Sequence, residues 1–350
     1  MVPSFLRPNG VALTMWEVRN RTPYRTFGRL VVDKQGRKHW LVTIRGTFDV
    51  AADGATTPSK EQLDPVVAPE YRGEDGASSL LFDSDTEGEK VNIDVVVEGS
   101  AHAPAGKAAT LVNVALETPF FRKILSVLGD CVWTRNMAGI VVPGDPLPFS
   151  TKPVIYERAY GGFDDASNDP AQQRLCDENP VGVGCVRDTD SLIGSLAPNV
   201  LFPGESPATE RVAGFGPIAG HWAPRTRFVG TYDAKWVEDR KPLLPKDFDP
   251  RFFNAAPPDQ QIDKPYLGGG QFRVVNMSPN GTFAVQIPRL VFGLETHFGR
   301  VVRHHRATLK AVILEPAEAR VALVWQGRLE CHALFDDLDY TNVDEKTVAN

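Results

Sequence analysis

The chain has 350 residues, of which 42% are hydrophobic, and a formal net charge of -6 at neutral pH. A chain of this length can bury a large core, either as one unit or as two closely packed domains. Its mildly acidic charge argues against binding to nucleic acid or to an anionic membrane surface, which basic proteins favour.

The sequence carries no recognisable export or membrane signal. Its first ten residues include Pro3 and Pro8 and lack the apolar run of a signal peptide. No segment is apolar over the length of a membrane-spanning helix. The cysteines lack the paired spacing of a metal site, and we expect reduced thiols. These features predict a cytoplasmic protein without membrane insertion.

Alternation of apolar and polar residues dominates the first part of the chain and predicts β-strands. Residues 29–33 and 39–50 are predicted to form a hairpin around residues 34–37. Residues 93–97, 112–116 and 121–127 are predicted to form an antiparallel meander. Short helices are predicted at residues 60–63 and 236–240.

The same pattern returns near the C-terminus. Residues 272–277 and 282–287 flank the turn sequence Ser-Pro-Asn-Gly and predict a hairpin. Residues 308–315 and 320–326 predict a second hairpin, and residues 290–298 a further strand. The sequence therefore predicts an all-β protein of antiparallel, sandwich-like sheets with few short helices.

Composition divides the chain into regions. We predict an N-terminal β region (residues 1–145), an irregular Gly/Pro-rich connection (146–225), a C-terminal β region (226–335) and a frayed acidic tail (336–350). Alternatively, these regions form one globular unit. The connection is predicted to consist of long ordered loops. Because structureless loops of this length are uncommon in compact domains, it either contains further strands or is a functional surface segment.

The segment at residues 242–261 combines prolines with large apolar side chains. Proline excludes it from a regular helix or a central strand, yet its leucines and phenylalanines favour burial. A buried irregular backbone needs side chains to satisfy its polar groups. The residues predicted to staple it are Asp247, Asp249, Arg251, Asn254, Asp259 and Gln260.

This segment also resembles the hallmark of a bacterial family known as domain of unknown function 2169. The pattern is Pro245-x-Asp-Phe-Asp-x-Arg-Phe-x-Asn-x-Ala-Pro-x-Asp-Gln260. Other motifs follow the family's order: Trp40 to Asp49, Tyr156-Glu-Arg-Ala-Tyr-Gly-Gly162, Asn179-Pro-x-Gly182, Gly214-Phe-Gly-Pro217 and Gly230-Thr-Tyr-Asp-x-x-Trp236. Several dispersed motifs in one order are more specific than one motif. The resemblance spans roughly residues 20 to 330.

The family resemblance implies a non-catalytic role in type VI secretion. It implies an adaptor or chaperone that binds an effector protein and loads it onto the spike, a valine–glycine repeat (VgrG) trimer or a PAAR-like tip. Aromatic side chains often anchor such interfaces. Exposed β edges, which can add a strand from a partner, are candidate contacts as well. The candidate aromatic and tail contacts are Tyr160, Trp222, Trp236, Phe335 and Tyr340.

Two alternatives belong to other functional classes. One is an enzyme, a hydrolase or modifying enzyme, with a polar cluster of Glu157, Arg158 and Asp233 beside Arg251. The other is a structural component of the spike itself. An enzyme requires a pocket with convergent polar groups, whereas an adaptor requires a broad contact surface.

We predict neither a metal nor an organic cofactor. Asp83, Asp85, Glu87 and Asp94 are spaced like calcium ligands, but a strand follows where that motif has a helix, so a polar turn is favoured. The glycine-rich stretches 182–184 and 214–220 lack the following helix of a phosphate-binding loop. Covalent catalysis is not predicted, because no Gly-x-Ser-x-Gly elbow is present.

Overall fold

A computed structural model of the chain describes residues 5–6, 12–13, 16–331 and 337–346. These residues form an all-β structure, as the sequence predicts, with one short α-helix, α1 (Ala234–Asp239). Within the described part, no helix has the length and apolar character needed to cross a membrane.

The strands of the described residues lie as follows, in chain order. They are β1 (Phe5–Leu6), β2 (Ala12–Leu13), β3 (Glu17–Asn20), β4 (Arg25–Val32), β5 (Lys38–Val50), β6 (Thr56–Pro58), β7 (Glu70–Tyr71), β8 (Leu80–Phe82), β9 (Ile93–Val97), β10 (Ser100–His102), β11 (Leu111–Glu117), β12 (Arg122–Leu128), β13 (Trp133–Arg135), β14 (Val141–Pro143), β15 (Thr151–Pro153), β16 (Tyr160–Gly161), β17 (Phe163–Asp164), β18 (Arg174–Leu175), β19 (Val183–Gly184), β20 (Val200–Leu201), β21 (Gln261–Ile262), β22 (Gln271–Ser278), β23 (Gly281–Gln286), β24 (Val291–Phe298), β25 (Val301–Glu315), β26 (Arg320–Glu330) and β27 (Leu338–Lys346).

The largest sheet has the strand order β3-β27-β24-β25-β26-β5-β4, with β6, β9 and β21 joined beside this path. It curls into a nearly closed barrel, in which β3 approaches β4. A Cβ on Gly28 of β4 would stand 2.7 Å from Val18 Cγ2 of β3 and 2.5 Å from the Trp40 ring. Only glycine fits such a close approach.

A second sheet has the order β20-β12-β11-β22-β23 and shares one core with the barrel-like sheet. Trp40, Phe292 and Trp325 enter this core from the first sheet, and Val114 and Phe272 enter it from the second. β24 shows the underlying pattern, since alternate residues along it are buried. This period of two turns one face of each strand toward the core.

The predicted hairpins are confirmed. β4 pairs with β5, β11 with β12, β22 with β23 and β25 with β26, all antiparallel. The turn between β22 and β23 contains the expected glycine. Gly281 has a φ of +86°, which residues with a side chain rarely adopt. Helix α1 lies where residues 236–240 predict one.

Three local expectations are wrong. Residues 93–97 leave the predicted meander, since β9 pairs in parallel with β25 and antiparallel with β21. Residues 60–63 form no helix. The predicted frayed tail is a strand over residues 338–346, because β27 lies between β24 and β3.

The two predicted β regions interleave in both sheets. β5 pairs with β26, and β11 pairs with β22. The Gly/Pro-rich connection between them contains short strands and 3-10 turns, with β16 and β19 forming a parallel pair. Long-range pairing of this kind joins the start and the end of the chain into shared sheets.

Candidate functional site

The proline-rich loop (residues 242–261) packs along the barrel-like sheet. Its backbone makes a 3-10 turn at Pro250–Phe253, where the Asp249 carboxylate accepts a hydrogen bond from the Arg251 amide, and another at Pro258–Gln260. Phe248, Phe252 and Phe253 contact one another with ring centroids 5.6 to 5.9 Å apart. The loop is therefore an ordered element, as its sequence predicts.

Asn254 is the central anchor of this loop and is only 2% exposed. Its side-chain oxygen accepts hydrogen bonds from the amides of Val91 at 3.1 Å and Asn92 at 3.2 Å. Its amide nitrogen donates to the Asn92 carbonyl and to Asp94 Oδ1, each at 2.9 Å. One side chain thus satisfies the backbone of residues 91–92 and also contacts the Asp94 carboxylate.

Gln260 anchors the other end of the loop and is fully buried. Its amide nitrogen donates to the carbonyls of Val95 at 2.8 Å and Phe215 at 3.0 Å. Its oxygen accepts from Lys123 Nζ at 2.8 Å, and the neighbouring Asp259 accepts from the same ammonium at 2.9 Å. Sequence reasoning missed Lys123, which lies far away in the chain.

The remaining predicted staples act at the surface. Asp247 accepts from the amide and the hydroxyl of Thr231 at 3.0 and 2.7 Å. Arg251 pairs with Asp249 at 2.6 Å and lies over the Phe228 ring, but 56% of its side chain is exposed. Surface pairs of this kind contribute little stability. Arg251 is therefore a local contact, not a buried staple.

A buried charge cluster lies under the loop. Lys90 Nζ contacts Asp94 Oδ2 at 2.8 Å and Asp83 Oδ2 at 3.7 Å, and Arg225 contacts Asp83 Oδ1 at 3.3 Å. Burial would lower the pKa of the Lys90 ammonium, but Asp94 and Asp83 raise it above its ordinary value. Asp83 and Asp94, two of the carboxylates spaced like calcium ligands, are therefore paired with protein cations.

Asp85 belongs to a separate buried pair. Its Oδ2 lies 2.7 Å from Arg45 Nη1, and both side chains are at most 3% exposed. The same carboxylate oxygen accepts from the Val66 amide at 3.0 Å. Among the described residues, no group of three His, Cys, Asp or Glu side chains is arranged to hold a metal ion.

A groove of about 600 Å³ separates the proline-rich loop from the edge strand β4. Residues 29–32 all line it, although neighbouring side chains in a strand point to opposite faces. Arg328 of β26, two strands away from β4, also lines it, so the groove extends from β4 over the adjoining face of the sheet. Its walls include Leu30, Val32, Leu243, Leu244 and Phe253.

The β4–β5 turn closes one end of this edge groove. Lys34 Nζ donates to the Phe248 carbonyl at 2.9 Å, and Arg240 donates to the carbonyls of Lys34 and Leu244. Val32 is 43% exposed within the groove. β5 is the strand that pairs with β4 in the described chain, so the other backbone edge of β4 has no hydrogen-bonded strand partner among the described residues.

A charged network supports the groove from the sheet side. Asp33 Oδ2 contacts Arg37 at 2.9 Å and His39 Nε2 at 3.0 Å, and a guanidinium nitrogen of Arg328 lies 2.8 Å from His39 Nε2. Burial would raise the pKa of Asp33, but hydrogen bonds from His39 and from the Arg37 and Gln35 amides lower it to about 2. The Asp33 carboxylate therefore stays charged at neutral pH and links the turn to Arg37 and His39.

Two charged side chains of the groove lie outside this network and have no ionic partner among the described residues. Arg29 and Glu87 line the groove and are exposed, and neither takes part in an ion pair within the described part of the chain. One cation and one anion therefore remain able to pair with a ligand in the groove.

A second apolar surface lies on the β13–β14 hairpin. This hairpin is a separate two-stranded sheet and contributes no residue to the edge groove. Met137 at its tip is fully exposed, and Ile140 is 60% exposed. Val132 and Leu196, which form a bridge next to the hairpin, are 47% and 54% exposed. We call this the hairpin surface. Exposed apolar side chains concentrated on one element can mark an interaction site.

The predicted polar cluster does not assemble. Glu157 accepts hydrogen bonds from the Ser79 amide and hydroxyl, each at 2.8 Å. Arg158 pairs with Asp130 at 3.0 Å, and Asp233 caps α1 by accepting from the Trp236 amide at 2.8 Å. No hydrogen bond or ion pair of the described residues joins Glu157, Arg158, Asp233 and Arg251 to one another.

The candidate aromatic contacts divide by burial. Tyr160 and Trp222 are 6% and 0% exposed, so the prediction that they contact a partner is wrong. Trp236 is half-buried and donates from Nε1 to the Leu243 carbonyl at 2.8 Å. Tyr340 is half-buried between Arg19, 3.6 Å above its ring, and His297 at a centroid distance of 4.3 Å. Phe335 lies outside the described residues.

Two of the sequence motifs meet in the Gly/Pro-rich connection. Asn179 is fully buried and donates to the carbonyls of Tyr156 at 2.8 Å and Tyr160 at 2.9 Å. A Cβ on Gly182 would stand 2.7 Å from the Gly161 Cα. The glycines of both motifs therefore allow two backbones to touch, which is a structural role.

The edge groove and the hairpin surface were not predicted. Both surfaces depend on which apolar side chains remain exposed to solvent. The alternation of apolar and polar residues predicts strands but not that exposure. The available signals were the apolar residues Met137 and Ile140 in a turn-like segment and Leu243 beside prolines.

Comparison with known proteins supports a family assignment. The profile of a bacterial family described as "Uncharacterized protein conserved in bacteria (DUF2169)" matches residues 35–326. No curated protein and no solved structure matches the chain.

Proposed function

The chain belongs to the bacterial family DUF2169, and from this membership and the geometry above we propose that it is an adaptor in type VI secretion. It binds a cognate effector in the cytoplasm and promotes its loading onto a VgrG or PAAR-like spike protein. The observation that carries the proposal is the presence of two apolar surfaces, the edge groove and the hairpin surface, on different sheets.

The edge groove suits an extended segment of the effector. An incoming strand can pair with the exposed edge of β4, where the main chain supplies affinity and the walls supply specificity. Val32, Leu243 and Leu244 offer apolar contacts for its side chains, and Arg29 and Glu87 offer charges. Such pairing also covers an edge that would otherwise favour aggregation.

The hairpin surface suits the spike component. An adaptor must hold both partners at once, so its second contact must leave the groove open. β13 and β14 form a separate two-stranded sheet, and Met137 and Ile140 project from their turn. Flexible methionine and aliphatic side chains adapt well to a partner surface.

Co-expression with the neighbouring effector and spike proteins tests this division. Val32→Asp with Leu243→Asp should reduce effector co-elution by about tenfold or more, since each places a charge in an apolar contact worth ~1.5–3 kcal/mol. Spike co-elution should persist. Met137→Asp with Ile140→Asp should give the reverse pattern.

The matched control is Val302→Asp, because Val302 is an exposed strand valine, 37% exposed, at the start of β25. It should leave both complexes intact. In cells, deletion of the gene should abolish secretion of the cognate effector while other effectors still leave. Normal secretion of every effector, or no co-elution with any partner, would refute the adaptor role.

A further inference from the structure

A second cleft lies on the opposite end of the proline-rich loop from the edge groove. Its volume is about 280 Å³, near the lower end of the ~300–1,000 Å³ that small-molecule sites occupy. We call it the Lys123 cleft. The role in secretion proposed above makes no use of it.

The wall of the Lys123 cleft contains a buried lysine, Lys123, and charged side chains are seldom buried. Its side chain is 6% exposed, and its ammonium donates to Asp259 Oδ1 and Gln260 Oε1. An ammonium has three donors, so these two acceptors leave one N–H. The Phe202 and Phe215 ring centroids lie 5.9 and 5.8 Å from Nζ.

Two arginines add positive charge to the same cleft. Arg211 lies 3.8 Å above the Phe202 ring and pairs with Glu205 at 2.9 Å. Arg227 is exposed at the cleft and takes part in no ion pair within the described part of the chain. Glu178 and Asp259 also line the cleft, and Asp259 is already engaged by Lys123.

The charge of Lys123 is incompletely balanced. Burial lowers the pKa of its ammonium more than Asp259 raises it, and Arg211 lowers it further. An additional anion at the free N–H would stabilise the charged form, since opposite charges nearby favour ionisation.

The other walls of the cleft are apolar. They include Phe202, Val212, Ile218, Pro224, Pro257 and Pro258. The Tyr156 ring also contributes, but its hydroxyl already donates to the Gly216 carbonyl at 3.0 Å. A ligand that fits both kinds of wall must carry an anionic group and an apolar group.

We propose that the Lys123 cleft binds a carboxylate that carries an apolar substituent, with the carboxylate on Lys123 and Arg227 and the substituent against the prolines. Arg and Lys both bind carboxylates through charge-assisted hydrogen bonds. The carboxylate belongs either to a free organic acid or to the C-terminus of a polypeptide. Both sources present the same chemistry to the cleft.

Calorimetric titration of the full chain tests this with four probes. They are 3-phenylpropionate, acetate, inorganic phosphate and a tetrapeptide ending in phenylalanine, the last with a free or an amidated terminus. We expect 3-phenylpropionate to bind more tightly than acetate or phosphate. Preference for the free peptide over the free acid would identify a chain terminus as the source, and the reverse would identify a small acid.

Arg227→Gln should weaken 3-phenylpropionate binding by about tenfold, because it removes one charged donor from an exposed site without disturbing the core. Lys123→Met should also weaken it. Arg122→Gln is the matched control, since Arg122 precedes Lys123 on β12 but has a 63% exposed side chain paired with Glu117. It should bind normally.

Either of two results would overturn the proposal. One is an affinity for 3-phenylpropionate weaker than about 10 mM. The other is unchanged affinity in Arg227→Gln, which would place the anion elsewhere. Because Arg227 is exposed, this variant remains informative even if Lys123→Met does not fold.

Discussion

The side-chain amide of Asn254 donates to Asp94 Oδ1 at 2.9 Å across a sequence separation of 160 residues. Asp94 belongs to β9, and its other oxygen accepts from Lys90 and from the Ala255 amide. The contact therefore joins the proline-rich loop, a sheet strand and the buried charge cluster at one point.

Asn254→Ala should lower the free energy of unfolding by about 2–4 kcal/mol, because it leaves buried amides and carbonyls without partners, at ~1–3 kcal/mol each. Arg251→Ala in the same loop is the matched comparison. It should cost less than about 1 kcal/mol, since its ion pair is exposed. Urea unfolding measures both, and an equal loss in the two variants would contradict this assignment of the anchor.

Asp85→Ala should destabilise the protein strongly. It leaves the Arg45 guanidinium buried without its carboxylate, and breaking such a pair costs ~3–5 kcal/mol. The double variant Arg45→Met with Asp85→Leu should recover much of this loss, because it removes both buried charges. The melting temperatures of the single and double variants measure this recovery. A double variant as unstable as Asp85→Ala would argue that the unpaired buried charge is not the cause of the loss.

Acid should weaken the Asp33 network within a defined pH range. The pKa of Asp33 falls from 3.8 to about 2 on folding, so the folded state favours the carboxylate. Its contribution to stability is complete above the unfolded value and is lost as pH falls from about 4 to about 2. Asp33→Asn should flatten the stability profile in this range, as measured by urea midpoints. A profile identical to wild type would contradict the network.

His305 should produce a pH dependence at a higher range. Its ring nitrogens are buried without a hydrogen-bond partner in the described structure, and it lies opposite Leu294 on β24. Burial, and secondarily His304, lower the pKa of His305 from 6.5 to about 4. The unfolded chain therefore binds a proton first, and stability should fall as pH drops from about 6.5 to about 4.

His305→Leu should reduce that loss of stability. Unfolding midpoints at several pH values between 4 and 7 would measure it, with His304→Leu as the exposed neighbouring control. A variant that keeps the full wild-type dependence would exclude His305 as its source.

Local sequence was sufficient for the hairpins. The β22–β23 turn at Ser278-Pro-Asn-Gly281 and the β25–β26 turn at Pro316–Glu318 each lie between strands that are neighbours in the chain. The residues of such a turn act on the strands beside them. For the same reason, the proline-rich loop was recognisable as irregular and anchored.

The partners of distant strands were not predictable from one sequence. β9 was assigned to a meander because of its position in the chain, but it pairs with β25 and β21. The acidic residues of β27 suggested a frayed tail, although Leu338 and Val343 are fully buried. In a single sequence, the polar outward-facing residues of a strand resemble the polar residues of a loop.

The sequence by itself determined the β class, the hairpins, the anchored loop and the family, because turn chemistry, strand periodicity and ordered motifs act over short stretches of chain. Only the tertiary structure decided which carboxylates meet Lys90, Arg45 and Lys123, and which aromatic side chains are buried. Each of those pairings depends on which strands, distant in sequence, lie side by side. No short stretch of sequence specifies that arrangement.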